Sequence, residues 1–196
     1  AAELIGVTRA LALCRQTGCP VHLSHVTTQR GVALVAMAKN EGLPITAGVP
    51  ARHLLLQDEL VRDSRYDPST KVRPPLRPEA DRLGLIEGIR RGVIDVVFAE
   101  HHPCSRSEKE LEYSEAEFGA VGLESAPLSC FTALGDIALV AKVMSSAPSK
   151  ILGLDTGIAI GKSADLVMMK DGKSYEYSPP FQTTGVNEPL LGKLLK

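Results

Sequence analysis

An α/β fold, with helices covering a parallel sheet, is what this sequence predicts. Its strand-like segments are short and apolar almost throughout, as at Ile94-Asp-Val-Val-Phe-Ala99. Strands buried on both faces read that way, and the sheets of α/β proteins are buried on both faces. Between them lie stretches with apolar residues at helical spacing, each closed by a glycine. With 196 residues, 44% of them hydrophobic, the chain suits one domain with a sizeable core and a small annex.

The elements follow in order. Leu4, Ile5, Leu11, Ala12 and Leu13 predict a helix over Ala2–Thr17, stopped by Gly18. Val21-His-Leu-Ser-His25 is a short strand. Thr27 or Thr28 offers a capping hydroxyl for a helix over Gly31–Asn40, which ends at Glu41-Gly42. Ile45-Thr-Ala-Gly-Val49 is the next strand. Asp81 opens a helix that reaches Arg91 and stops at Gly92, and Ile94–Ala99 is the third clear strand. After Ala126, helical segments lead through Ala133–Ser145, with a last turn over Ala147–Gly153. Gly157–Met169 and Ser174–Tyr177 read as short β elements, which divides the chain into 1–150 and an annex, 151–196. Two long loops, about Gln57–Pro78 and Cys104–Ala120, follow strand ends, where α/β proteins place their sites.

Bulk properties exclude several partners. A formal net charge of -1 points away from nucleic acid and anionic membranes. Cys14, Cys19, Cys104 and Cys130 form no CxxC pair, so a reduced, cytoplasmic protein is expected. No leader segment and no bilayer-length apolar run are visible.

The chemistry-bearing residues gather at strand ends. His22 and His25 lie three apart on one strand, so their side chains point to opposite faces and only one can reach a site; His25, at the carboxyl end, is the candidate ligand or base. His53 follows the second strand and Glu100 the third. Each alone reads equally as structural, but His25, His53 and Glu100 share one rim of a parallel sheet. Carboxylate and imidazole on one rim suit zinc, which takes N and O ligands and acidifies bound water. No His-x-His pair occurs in the 196 residues. Arg73 and Arg77 flank Pro74-Pro75 in a stiffened loop that can present a guanidinium to a carboxylate, or simply meet solvent. Cys104 lacks a neighbouring base and reads as a small, inert side chain.

These stretches also match, in order, the motifs of one enzyme family. Val21-His-Leu-Ser-His25-Val-Thr-Thr matches H-x-x-H-V-S-T, and the segment from Ile45 through Arg52 and His53 matches V-T-x-E-V-x-P-H-H-L-L-L. Lys71–Arg77 matches K-x-N-P-P-L-R, and Ile94–Cys104 matches I-D-V-I-A-T-D-H-A-P-H. Glu108-Lys109, Gly122–Leu128, Gly161–Val167 and Thr184–Pro189 match later segments. Together they resemble the C-terminal half of a dihydroorotase of the amidohydrolase superfamily.

That resemblance implies strands five to eight of a TIM-type (β/α)8 barrel, plus the C-terminal part of a small β-sandwich. It implies a zinc-dependent enzyme of pyrimidine biosynthesis that interconverts N-carbamoyl-aspartate and dihydroorotate. Position by position, His25 falls on a zinc ligand. The second histidine ligand falls on Arg52, whose guanidinium cannot ligate zinc, leaving His53 as a weak substitute. Glu100 falls on the aspartate that is both ligand and general base. Arg73 falls on a substrate-binding asparagine, Cys104 on a histidine that grips the substrate carboxylate, and Gly48 on a glutamate. Substitution at one rim, while packing segments keep their pattern, predicts a fold retained with its chemistry impaired or lost, zinc included. The expected role is then structural, alongside aspartate transcarbamoylase. The alternative is an active enzyme built on His25 and Glu100. Four strands would leave open sheet edges, so pairing with an N-terminal half or a second copy is expected.

Overall fold

Three short strands form the parallel sheet on which the molecule is built: β1 (Val21–Leu23), β2 (Ile45–Pro50) and β3 (Val96–Phe98), in that order. The computed structural model describes residues 1–169, 175–176, 185, 187–190 and 194–195. β2 is central, with Val21 opposite Ile45 on one side and Gly48 opposite Val96 on the other. Its residues are buried apart from the half-buried Thr46, which explains why β2 reads as apolar rather than alternating.

Helices α1 (Ala2–Thr17), α2 (Gln29–Asn40) and α4 (Glu79–Arg90) follow the predicted spacing. Val7, Leu11 and Cys14 form the buried stripe of α1, and Val7 and Leu11 pack on Ala38 and Ile45. Gly18 ends α1 in the left-handed region at φ 70°, its N–H reaching the Cys14 carbonyl. The Thr28 hydroxyl caps α2 by accepting from the Gly31 N–H at 3.1 Å. Leu85, Ile86 and Ile89 of α4 join Val26, Val35, Val49 and Val97 in the main core. Lys39 of α2 donates to both oxygens of Asp95 at 2.7 Å, and Asp95 also accepts the Ala47 N–H, tying α2 to the inner strand.

The two long loops are not bare. The first holds α3 (Glu59–Asp63) and a 3-10 turn at Pro68–Thr70; the second holds α5 (Arg106–Lys109), closed by a capping box between Ser105 and Glu108. Beyond them, α6 (Ser125–Leu134), α7 (Ile137–Ala141), a π-helical stretch (Lys142–Ser146) and α8 (Ala147–Leu152) account for the expected helical region.

The annex departs from expectation. Gly157–Met169 contains no strand, and its apolar side chains face outward, Ile158 at 89% and Met168 at 96% exposure. Alternating apolar residues become a strand only when a neighbouring strand pairs their backbone and covers them. The β structure found there is an antiparallel pair, β4 (Tyr175–Glu176) with β5 (Leu194–Leu195). Ser174, Tyr177, Thr184 and Val186 of the expected β segments lie outside the described residues. All four cysteines are free thiols, and no described helix is long and apolar enough to cross a membrane.

Candidate functional site

The carboxyl ends of β1, β2 and β3 converge on Glu100. Its Oε1 meets His25 Nε2 at 2.7 Å, and its Oε2 accepts from Arg52 Nη1 at 3.0 Å. The residue itself is held in the left-handed region at φ 48°, which a non-glycine residue tolerates only when its surroundings impose it. Burial pushes the Glu100 carboxyl above its ordinary value, while Arg52 and then His25 pull it back down.

Arg52 lies in the 3-10 turn directly after β2 and is only 3% exposed. Its Nη2 donates to three carbonyls: Glu100 at 2.6 Å, Ala120 at 3.1 Å and Ala99 at 3.2 Å. The guanidinium therefore spans the rim, with its charge answered by Glu100 and its Nη2 protons by backbone. Burial lowers its affinity for its proton, and Glu100 and Glu188 oppose this without cancelling it. Gly122 makes this approach feasible, because a Cβ there would lie 2.5 Å from the Ala99 oxygen and 3.1 Å from Arg52 Nη2.

His25 is fixed on both nitrogens, with Nδ1 2.8 Å from the Ser24 hydroxyl and Nε2 on Glu100. These partners favour the tautomer with Nε2–H donating to the carboxylate. Phe98 packs edge-on against the imidazole, its ring centroid 5.0 Å away. Gly48 leaves room for that ring, since a side chain at 48 would begin 3.4 Å from Phe98 and 3.1 Å from the Ser24 carbonyl. His22 faces elsewhere, its Nδ1 2.8 Å from Thr46 Oγ1 on the paired strand, as the alternation of side chains predicts.

The remaining candidates divide. Arg73 reaches the rim, its guanidinium stacked 4.2 Å over the Phe118 ring, and it lines an open hollow of about 320 Å³ with Arg52, Glu100, His102, Glu117 and Gly119. Arg77 does not join it. Its Nε donates to Thr27 Oγ1 at 3.0 Å and its Nη2 to Glu3 Oε2 at 3.3 Å, so it braces the first turn of α1 against the β1–α2 turn. Glu3 completes that brace, also accepting from the Thr27 and Thr28 amides and hydroxyls. His53 is 1% exposed and its Nε2 donates to the Pro75 carbonyl at 3.2 Å. Burial and the neighbouring Arg52 hold its imidazole down at about 4, so it is neutral at pH 7. Cys104 is buried too, with its thiol pushed up by burial, and its amide donates to Asn187 Oδ1 at 2.8 Å. Among the described residues no hydrogen bond joins the side chain of His53 or Cys104 to the His25–Glu100–Arg52 cluster.

Two lysines and an asparagine that sequence reading passed over hold this rim in shape. Lys71 Nζ donates to the Ser114 and Ala116 carbonyls at 2.8 and 2.6 Å, and Lys109 Nζ donates to Pro68 and Glu117 at 2.8 and 2.7 Å. Each ammonium belongs to one long loop and is caged by carbonyls of the other or of its own return. Asn187 donates to the His102 carbonyl at 2.8 Å, clamping the 102–104 turn from both sides. The motif matches at Thr184–Pro189, Lys71–Arg77 and Glu108-Lys109 were the signal for all three, though none of them showed what the side chains bind. Lys109→Met is expected to cost about 2 kcal/mol, because two carbonyls in part-buried hydrogen bonds lose their donor. It should also open Arg106–Glu117 to limited proteolysis; an unchanged urea midpoint and cleavage pattern would count against the cage.

The residues do not fit a zinc ion. Both Glu100 oxygens are engaged, and the group beside them is a buried, permanently cationic guanidinium, which repels a dication. Among the described residues no cluster of three or more His, Cys, Asp or Glu side chains is arranged to hold a metal.

Comparison with known proteins places this geometry in context. No protein-family model matches the chain. It is 39% identical over 201 residues to the dihydroorotase of Caldanaerobacter subterraneus subsp. tengcongensis, covering 100% of this chain and 46% of that protein. The chain thus spans about half the length of the curated relatives it matches. Among solved structures, the L-hydantoinase (dihydropyrimidinase) of Arthrobacter aurescens superposes with a TM-score of 0.83 at 23% identity, covering 96% of this chain and 44% of that one. The inactive dihydroorotase-like domain of the Chaetomium thermophilum CAD-like multifunctional protein superposes with a TM-score of 0.63 at 21% identity, covering 97% and 51%. At these identities the structural likenesses establish the fold.

Proposed function

We propose, from the premise that the chain is a dihydroorotase-related sequence of the amidohydrolase superfamily from end to end, that it is a catalytically impaired or inactive dihydroorotase-like protein of cytoplasmic pyrimidine biosynthesis. In this reading it acts as a structural partner of aspartate transcarbamoylase. Residues 1–150 supply strands five to eight of a (β/α)8 barrel, and 151–196 supply the C-terminal part of a small β-sandwich. One observation carries the reading. Arg52 sits at the position of a family ligand and binds the carboxylate that would serve as ligand and base. Glu100 cannot accept a substrate proton readily while its two oxygens hold His25 and a guanidinium. Of the positions that grip substrate in the family, only Arg73 lines the rim hollow here. That one of the structural neighbours is itself described as an inactive dihydroorotase-like domain agrees with this reading.

The test uses the full-length polypeptide, assayed in both directions between N-carbamoyl-aspartate and dihydroorotate, with and without added zinc. No turnover in either condition is expected, together with co-elution with aspartate transcarbamoylase in size-exclusion chromatography. The rival reading is an active zinc-dependent cyclic amidohydrolase, which draws on the retained His25–Glu100 pair. Zinc-restored turnover would establish it and remove the first.

A further inference from the structure

Glu188 is a buried acid that the rim chemistry does not use. It is 7% exposed; its Oε1 accepts the Leu190 N–H at 2.9 Å, and its Oε2 is buried with no hydrogen-bond partner among the described residues. Ser125, in the first turn of α6, faces the same carboxyl and draws its ionisation down a little. One turn further along α6, the fully buried Ser129 hydroxyl is likewise unpartnered. Ser125 and Ser129 line a small void of about 10 Å³ with Arg52, Pro189 and Leu190. Such a space holds about one water, and Glu188 itself does not line it, so it offers the carboxylate no hydration. A carboxylic acid tolerates the site; a carboxylate, with one oxygen unanswered, does not.

The charged groups that face Glu188 do not reverse this. Burial is the dominant influence and raises the carboxyl to about 7. The Leu190 amide, Arg52 and Ser125 lower it, and Glu124, just ahead of α6, raises it further. Arg52 comes from the turn after β2, where its charge is already shared with Glu100.

We propose that Glu188 is a proton-gated latch for residues 187–190: as a neutral acid it seats the segment on the start of α6 beside Arg52, and on losing its proton it releases it. The neighbour Asn187 carries the consequence to the rim. Its side chain clamps the His102 carbonyl and the Cys104 amide, and its carbonyl accepts the Val121 N–H at 3.0 Å. Release of the segment frees the 102–104 turn, two residues from Glu100. The latch stands independently of the function proposed above.

The direction of the pH effect follows from linkage. An undocked Glu188 ionises near the ordinary 4.5, the docked one near 7. Between these values the docked state binds the extra proton, so docking weakens as pH rises, by about tenfold per pH unit, and levels off above pH 7. Hydrogen–deuterium exchange of the full-length protein at pH 5, 6, 7 and 8, corrected for intrinsic rates, reads this at the Leu190 and Val121 amides. Their protection is expected to fall between pH 5 and 7, while in Glu188→Gln it stays level. Level protection in the unsubstituted protein, or the same fall in Glu188→Gln, overturns the latch. A ¹³C titration of the Glu188 carboxyl needs no substitution: a midpoint near 7 supports the proposal and one below 5 ends it.

Discussion

Arg52→Met is expected to destabilise the full-length protein by about 3–5 kcal/mol in urea unfolding, the cost of removing one partner from a buried ion pair. Methionine keeps much of the volume, so the loss is electrostatic rather than a cavity. Glu100 loses its strongest charge partner while remaining largely buried, and the Ala99, Glu100 and Ala120 carbonyls lose a shared donor. The pH profile gives the effect a signature. Burial already raises the Glu100 carboxyl, and Arg52 is the largest influence lowering it. Without Arg52 the folded state holds the proton to higher pH, so the variant loses stability as pH rises from the ordinary carboxyl value. Its deficit is therefore smallest near pH 5 and largest above neutrality. Glu100→Gln in the same background removes the unanswered charge and should recover about 1–3 kcal/mol. A deficit independent of pH, with no recovery on adding Glu100→Gln, would falsify the account of Arg52 as the internal cation of this rim.

How far this arrangement was legible in sequence depends on how far apart its parts lie. The helices α1, α2 and α4 were legible because apolar spacing and a closing glycine are local signals; α1 has the expected bounds, and those of α2 and α4 differ by at most two residues. Strands were legible as segments, the first and third overlong and the second one residue short: Val21–His25 pairs only through Leu23, since the chain turns where His25 and Ser24 meet Glu100 and Gly48. The rim was legible as a list of positions, and Arg52 as a departure from a ligand pattern. What it binds was not, because its partners lie 47 to 68 residues away and three are backbone carbonyls, which have no residue signature. The same limit hid the lysine cages, whose acceptors are all carbonyls. Arg77 illustrates the converse. A guanidinium beside two prolines suits a substrate carboxylate, and equally suits Glu3, a carboxylate 74 residues away on α1. Sequence alone cannot weigh a distant internal acid against an external one.

Gly122→Ala should cost about 3 kcal/mol, near the upper end for forcing extra atoms into a filled site, and it tests the rim by geometry rather than charge. The new Cβ would stand 2.5 Å from the Ala99 carbonyl oxygen and 3.1 Å from Arg52 Nη2. Neither neighbour can retreat cheaply. The oxygen belongs to the backbone leaving β3, and the guanidinium is held by three carbonyls and Glu100. Gly119→Ala offers an instructive comparison. Its Cβ would approach the His102 ring to 2.3 Å and His102 Cβ to 2.8 Å, with backbone strain added at φ 127°; the exposed ring can rotate away, but Cβ moves only with the backbone. The steric penalty relaxes only in part and the dihedral part remains, so a cost of about 2 kcal/mol is expected. Gly6→Ala serves as the opposite control. It lies inside α1 with nothing within 4 Å of the added methyl, so helix propensity alone acts and the variant should gain about 0.5–1 kcal/mol. The order of urea midpoints is therefore Gly6→Ala above the unsubstituted protein, then Gly119→Ala, then Gly122→Ala. Equal midpoints for the last two would mean that Arg52 and the Ala99 carbonyl yield as readily as a surface histidine, and that the clamp over Glu100 is not rigid.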